Sequence, residues 1–431
     1  MEEDKKLPIG AIMVGLDIGT TKISVIIGRK NQYGKLEILG TGYAISNGVT
    51  RGIVSNIDKT VASIVTAINE AKKKSGLEIK EVFIGVAGQH IKSLQHRGEI
   101  VRDNTETEIA KADIEKLKSN MFKLITIPGE EIIHVIPQEY TVDGEDGIED
   151  PIGMSGVKLE ANFHVITAQV SAVKNIIKCV ERAGLVPKDL ILEPFASAVA
   201  TLDEDELREG VALVDIGGGT TDVAIFLGNI IRHTAVIPFG GNVITKDIKS
   251  GLEILENQAE LLKVKFGSAM YTQEQENVMV AIPGLRGRPP KEIAVRNLSE
   301  IIGARYKEII DLVYHEIKAS GYEHKLMTGI VITGGGSLIK NLKQLVAYVS
   351  GKETRIGYPN EHLGPESKDV VVSPIYSTGV GLVLKGFEYM EQHPEKFVMP
   401  EDSPSDVEEG EPEGSEITKE QTLLDRISGW F

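Results

Sequence analysis

The stretch "VDIGGGTTDVAIF", Val214 to Phe226, constrains the fold more than any other. An apolar run ends in Asp215, three glycines and two threonines follow, and a second apolar run begins at Asp222. A shorter version, "GLDIGTTKISVII", lies near the amino end, with Asp17 198 positions before Asp215. Each turn has strand-like sequence on both sides, so each reads as a β-hairpin. That separates them from a Walker A loop, whose G-x-x-x-x-G-K-[ST] is absent, and from a dinucleotide turn, which runs from strand into helix. Acid, glycine and threonines recur in the same order, so the two turns are an internal repeat.

Such a hairpin suits an anion. Glycines let backbone N–H groups approach closely, and threonine hydroxyls add donors. An acid at the end of the first strand can hold the water shell of Mg²⁺, a hard cation bound through few carboxylates. Two facing hairpins, with Gly19, Thr20 and Thr21 on one and Gly217, Gly218, Gly219, Thr220 and Thr221 on the other, would grip a Mg-polyphosphate from both sides. Asp17 and Asp215 are the expected metal acids, and Lys22 would put a positive charge on the β- and γ-phosphates. Further along, "GIVITGGGSLIKNL" gives an apolar strand, Gly334, Gly335, Gly336 and Ser337, then a helix. That order suits a nucleoside lying over bare backbone at a helix N-terminus.

The rest of the chain is consistent with α/β layers. At 431 residues, with 41% hydrophobic and 26% charged residues, more than one domain is expected. Apolar residues at helical spacing follow the first hairpin (Ile57, Val61, Ile64, Val65, Ile68) and end at Gly76; "EVFIGVAG" reads as a strand. Residues 89–168 differ in character, with a helix expected over 110–124 and strands near 131–142 and 163–169, and read as an insertion. The run "GGNVITKDIKSGLEILENQAELLKVKFGSA" is expected to be helical, with Ile244, Ile248, Leu252 and Leu261 on one face, and a long helix is expected from about Leu298 to Ser320.

A formal net charge of −16 argues against a nucleic-acid binder. Ten acids against one lysine between Glu391 and Glu416 make that stretch an expected disordered linker. The single cysteine, Cys179, allows no intrachain disulfide and is expected in the core of a protein from a reducing compartment. The first residues carry no apolar signal, and no window is long and apolar enough to span a bilayer. The last fifteen residues, "ITKEQTLLDRISGWF", would place Leu423, Leu424, Ile427, Trp430 and Phe431 on one helical face. A helix of that kind behind a linker needs another surface, first a membrane interface, second a partner groove.

The two hairpins and the third glycine loop resemble the phosphate and adenosine loops of the actin-like ATPase superfamily, as do "LILEPFASAVATL" and "YSTGVGLVL". The resemblance covers about Met13 to Gly386. It implies an α/β, actin-like ATPase fold with two related domains closing over ATP-Mg²⁺. It also implies that Glu193 orients the attacking water and that Glu260 and Lys263 meet ribose and adenine. Within the superfamily, "VFIGVAGQHIKSLQHRG", "HVIPQEYTVDG", "IEDPIGMSGVKLEANFHVITA", "IPFGGNVITKDI" and "GLRGRPPKEIAVRNLSEIIGARYKEI" resemble, in order, segments of the FtsA family of bacterial cell-division proteins.

That family resemblance implies subdomain 1A (11–88, 169–203 and 371–390), inserted subdomain 1C (89–168), 2A (204–240 and 300–370) and 2B (241–299), then the linker 391–416 and an amphipathic membrane helix 417–431. It implies filaments, a 2B docking site for the C-terminal tail of the tubulin-like FtsZ, recruitment of later division proteins, and a place on the cytoplasmic face of the inner membrane at the division site. Arg286, Arg288 and Lys291 form a small basic cluster fit for an acidic tail. Slow ATPase activity is an open expectation. Two alternatives share the fold: an actin-like scaffold of type IV pilus assembly and a small-molecule kinase. A chaperone of the DnaK type would need a much longer segment after Gly386, and an MreB-type filament protein would lack the insertion at 89–168.

Overall fold

A computed structural model describes residues 10–102, 107–273, 276–284 and 289–393. Two five-stranded sheets share one topology. In the first, the hairpin Ile12–Ile18 and Lys22–Lys30 is extended on its outer side by antiparallel Leu36–Ile45; on the other side Glu81–Val86 and then Val186–Leu192 run parallel to the first strand. In the second, the hairpin Val211–Ile216 and Thr221–Leu227 is extended by antiparallel Ile230–Ile237, and Ile330–Thr333 and Thr354–Ile356 run parallel on the other side. Register is also shared. Asp17 faces Ser24 across the first hairpin, and Asp215 faces Asp222 across the second. The sequence repeat is thus a repeat of whole sheets, the actin-like architecture that the resemblance implied.

Continuous apolar runs form these central strands because helices cover both faces. Ile57–Ser75 and Val170–Arg182 cover one face of the first sheet, and Cys179 is buried there. Helix 57–75 starts where the Asn56 side chain accepts from the Lys59 N–H at 2.9 Å, and ends at Gly76 in the left-handed region. Glu193–Thr201 and Ser377–Gln392 lie between the two sheets. Ala196 and Ala200 pack toward the first sheet with Leu382 and Val383, whereas Ala198 and Leu202 pack toward Leu213 and Ala224 of the second.

Several expectations shift in detail. The helical run after Gly240 breaks at Glu253, which turns left-handed, into Gly241–Leu252 and Glu256–Phe266. The break changes the phase, so Leu261 is 51% exposed while Ala259 and Leu262 are buried. Val65, also expected inward, lies on the exposed side of its helix. The long helix starts at Val295 and ends at Ala319. After Ile330–Thr333 the glycines enter a single 3-10 turn, Gly335–Leu338, and the α-helix begins only at Leu342.

The insertion is a four-stranded sheet with the helix Lys111–Met121. Two of its strands, Ile91–Val101 and Glu145–Ile148, were not expected, because "IKSLQHRGEIV" lines a mostly exposed edge and lacks a buried apolar alternation. Side chains tie this sheet to the edge strand Ile230–Ile237. Gln138 Nε2 donates to the carbonyls of Ile231 (2.9 Å) and Arg232 (3.0 Å), Ser93 Oγ to that of Thr234 (2.9 Å), and His164 Nε2 meets Thr234 Oγ1 at 3.1 Å.

Burial, with His233 nearby, lowers His164 from the usual 6.5 to about 4. Its neutral form is therefore favoured in the folded chain, and the stability this represents is lost as pH falls from 6.5 through 4. His164→Gln is expected to gain on wild type by about 1.4 kcal/mol per pH unit across that window. Urea midpoints at pH 7.5 and pH 5 check this; an unchanged gap between variant and wild type would contradict it.

Candidate functional site

A cavity of about 660 Å³ lies between the two sheets, walled by both hairpin turns and the third glycine loop. Every expected nucleotide-site residue lines it except Thr221 and Ser337. Strand alternation carries Thr221 away from the cavity, where its hydroxyl donates to the Phe239 carbonyl at 2.8 Å. Ser337 is fully buried and donates to the Gly334 carbonyl at 2.7 Å, closing its own loop.

The two turns meet face to face. A Cβ on Gly218 would overlap the Thr21 side chain, and one on Gly219 would lie 2.6 Å from Thr20 Oγ1. Glycine is needed here for close approach rather than for an unusual dihedral. The second turn is pinned from behind, because the N–H groups of Gly241 and Asn242, at the start of their helix, donate to the Gly217 and Gly218 carbonyls at 2.9 and 2.8 Å. Thr20 Oγ1 accepts from the Gly52 N–H at 3.2 Å. Lys22 reaches Asp17 at 3.4 Å, donates to the Ile375 carbonyl and lies over the Tyr376 ring.

Five acids line the cavity: Glu260, paired with Lys263, and a group of four, Asp17, Glu193, Asp215 and Asp222. Burial, then the charges of Asp17, Asp222 and Asp215, push Glu193 well above the usual carboxylate range. Burial raises Asp215 against the hydrogen bond from Ser197, and burial plus Asp215 raises Asp222 to about 7. Asp222 is 6% exposed and its Oδ1 has no hydrogen-bond partner. Crowded carboxylates with an unsatisfied oxygen fit a divalent cation. Among the described residues no three His, Cys, Asp or Glu side chains are grouped to hold a metal alone. That fits Mg²⁺, which keeps most of its water and takes one or two carboxylates plus phosphate oxygens. Asp17 and Asp215 would hold it, largely through water, and the bound ion would neutralise phosphate charge.

At the far end Lys263 is held fast rather than solvated. It is 8% exposed and donates to the Gly241 carbonyl (3.0 Å), Thr245 Oγ1 (2.8 Å) and Glu260 (2.7 Å). Tyr306, bonded through its hydroxyl to the Gly336 carbonyl at 2.9 Å, forms part of the same wall with Asn242. Both lie within segments that carry the family resemblance, but neither is a residue type that by itself points to a nucleotide, so the sequence does not single them out. Asp222 does carry a sequence signal, as the acid closing the second turn.

Lys291 is exposed and donates to the Leu252 carbonyl at 2.6 Å. Arg286 and Arg288, the expected linker from 394 onward, and Leu423, Leu424, Ile427, Trp430 and Phe431 lie outside the described residues. Among the described residues no helix is long and apolar enough to cross a membrane.

Comparison with known proteins agrees with this geometry. A family model described as "Cell division protein FtsA" matches residues 212–381, and one described as "SHS2 domain inserted in FTSA" matches 88–167. Cell division protein FtsA of Pseudomonas aeruginosa is 42% identical over 381 residues, covering 88% of this chain and 90% of that protein. The Borreliella burgdorferi protein of the same name is 34% identical over 422 residues, covering 97% and 98%. Among solved structures, a PilM-PilN type IV pilus biogenesis complex aligns with a TM-score of 0.62 at 16% identity, covering 87% of this chain and 98% of that one. MreB5 of Spiroplasma citri bound to ADP aligns with a TM-score of 0.52 at 15% identity, covering 90% and 99%. At such identities these two structures speak for the actin-like fold alone. Similarity to FtsA over nearly the whole chain, together with the matched insertion, shows that this protein belongs to the FtsA family of cell-division proteins.

Proposed function

We propose that this chain binds Mg-ATP between its two lobes, polymerises, and tethers FtsZ filaments to the cytoplasmic face of the inner membrane at the division site. The observation that carries the nucleotide part is the pair of hairpin turns. They bring Gly218 and Gly219 against Thr21 and Thr20 beside Asp17 and Asp215, at the mouth of one cavity. Backbone amides, hydroxyls, one lysine and two metal acids are what a polyphosphate and its cation require. Lys263, Glu260 and Tyr306 at the other end would take the nucleoside. ADP-bound MreB5 has the same fold, which supports the reading.

Glu193 would orient water for slow hydrolysis, and the nucleotide would act chiefly as an assembly ligand. The four-part division into 1A, 1C, 2A and 2B belongs to the same proposal. The adaptor part rests on family membership and on the sequence. The FtsZ tail would dock on 2B, with Arg286, Arg288 and Lys291 facing its acids, and Leu423, Leu424, Ile427, Trp430 and Phe431 would enter the membrane interface. Later division proteins would be recruited to the filament. Two cations against two acids in the last fifteen residues give little attraction to anionic lipid, so attachment would depend on many copies acting together. Calorimetry of ATP with and without Mg²⁺ tests the nucleotide part: micromolar or tighter binding that weakens without Mg²⁺ supports it, and no binding refutes it.

A further inference from the structure

Asp215 is oriented by two helices that belong to neither strand of its hairpin. Ser197 Oγ, on helix Glu193–Thr201, donates to Asp215 Oδ2 at 2.8 Å. Thr378 Oγ1, at the start of helix Ser377–Gln392, lies 3.1 Å from Ser197 Oγ and 3.5 Å from the same carboxylate oxygen. The neighbouring Ser377 Oγ meets Thr333 Oγ1 at 2.7 Å, and Thr333 Oγ1 also donates to the Gly357 carbonyl at 3.1 Å. Asp215 and Thr333 are themselves partners in the parallel ladder. Four hydroxyls, each 8% exposed or less, therefore meet at adjacent points of the second sheet.

Burying that many hydroxyls is costly unless each is bonded, and each of the four has a hydroxyl, carboxylate or carbonyl partner. A neutral donor fixes a carboxylate without cancelling its charge, which an arginine or lysine partner would do. The other oxygen, Oδ1, is confined by Gly334, where a Cβ would overlap it. Asp215 thus has one orientation, set jointly by both helices that lie between the lobes.

We propose that Ser197 and Thr378 are positioning residues that hold Asp215 for the water shell of Mg²⁺, so that metal capture depends on the seating of the interlobe helices. This rests on the Mg-nucleotide reading. Ser197 lies off the cavity and Thr378 lines it beside Asp215; in that reading neither holds the nucleotide, so their loss should act on the metal and spare the metal-free affinity. Partners of this kind typically cost 10–100-fold in metal affinity when removed.

The test uses full-length wild type, Ser197→Ala, Thr378→Val and Thr378→Ser. ATP affinity is measured by calorimetry in EDTA and across a Mg²⁺ titration, with a melting curve for each protein. Ser197→Ala is expected to raise the Mg²⁺ concentration needed for half-maximal tightening about tenfold. Thr378→Val is expected to raise it less, given its longer contact, and Thr378→Ser, which keeps the hydroxyl, not at all. ATP affinity in EDTA is expected to stay at the wild-type value throughout. An unchanged Mg²⁺ requirement in both Ser197→Ala and Thr378→Val would overturn the proposal, and so would equal losses with and without Mg²⁺. Wild type that binds ATP with no Mg²⁺ dependence would instead remove the Mg-nucleotide reading on which it stands.

Discussion

Asp215→Asn is expected to raise the melting temperature of the ligand-free protein slightly while removing most of the stabilisation that Mg-ATP confers. The two effects share one cause. In the free cleft, burial raises the Asp215 carboxyl above its usual value, with Asp17 adding to the shift. A carboxylate raised on folding costs stability as pH climbs through its folded value, so the charge is a burden at neutral pH. Asparagine removes the charge and keeps an acceptor for Ser197. Once Mg²⁺ arrives, the same charge becomes an asset. Acting through metal-bound water, its loss is expected to weaken Mg-ATP binding about 10–100-fold. At saturating ligand a 100-fold loss takes away about 2.7 kcal/mol of stabilisation. Melting curves with and without Mg-ATP read both signs; an unchanged ligand-induced gain would mean that Asp215 is not a metal acid.

Gly381→Leu is expected to destabilise the whole chain by about 3 kcal/mol or more. Gly381 lies where helix Ser377–Gln392 crosses Glu193–Thr201, and a Cβ there would overlap the backbone of Ala196. The obstacle is main chain, so no rotamer change relieves it, and even Gly381→Ala should lower the urea midpoint measurably. Because the crossing helices carry Ser197, Thr378 and Glu193 and pack toward both sheets, their separation would loosen the core and the site together. A wild-type midpoint for Gly381→Ala would show that the crossing can widen at little cost.

The parts of this fold legible in the sequence are those whose chemistry is local. Asp17 to Lys22 and Asp215 to Asp222 each hold acid, glycine and hydroxyls within a few residues, so the turns and their repetition could be read directly. Thr221 and Ser337 offer hydroxyls beside the glycine turns, but neighbours along a turn alternate in direction, and both side chains point into protein. The break at Glu253 was hidden because a left-handed residue other than glycine leaves no composition signal. Ser197 and Thr378 lie within "LILEPFASAVATL" and "YSTGVGLVL", yet their convergence on Asp215 joins three distant segments, and nothing in spacing along the chain encodes that. The polar edge strand Ile91–Val101 is set by its partner Lys158–Gln169 rather than by its own pattern.

The most direct test of the adaptor reading is co-pelleting of FtsZ with liposomes, with and without ATP, comparing the full chain with one ending at Glu416. The account predicts that FtsZ pellets only with the full chain, and more strongly with ATP. If FtsZ pellets equally with both proteins, the last fifteen residues are not the anchor; if it pellets with neither, the protein is not the tether between filament and membrane.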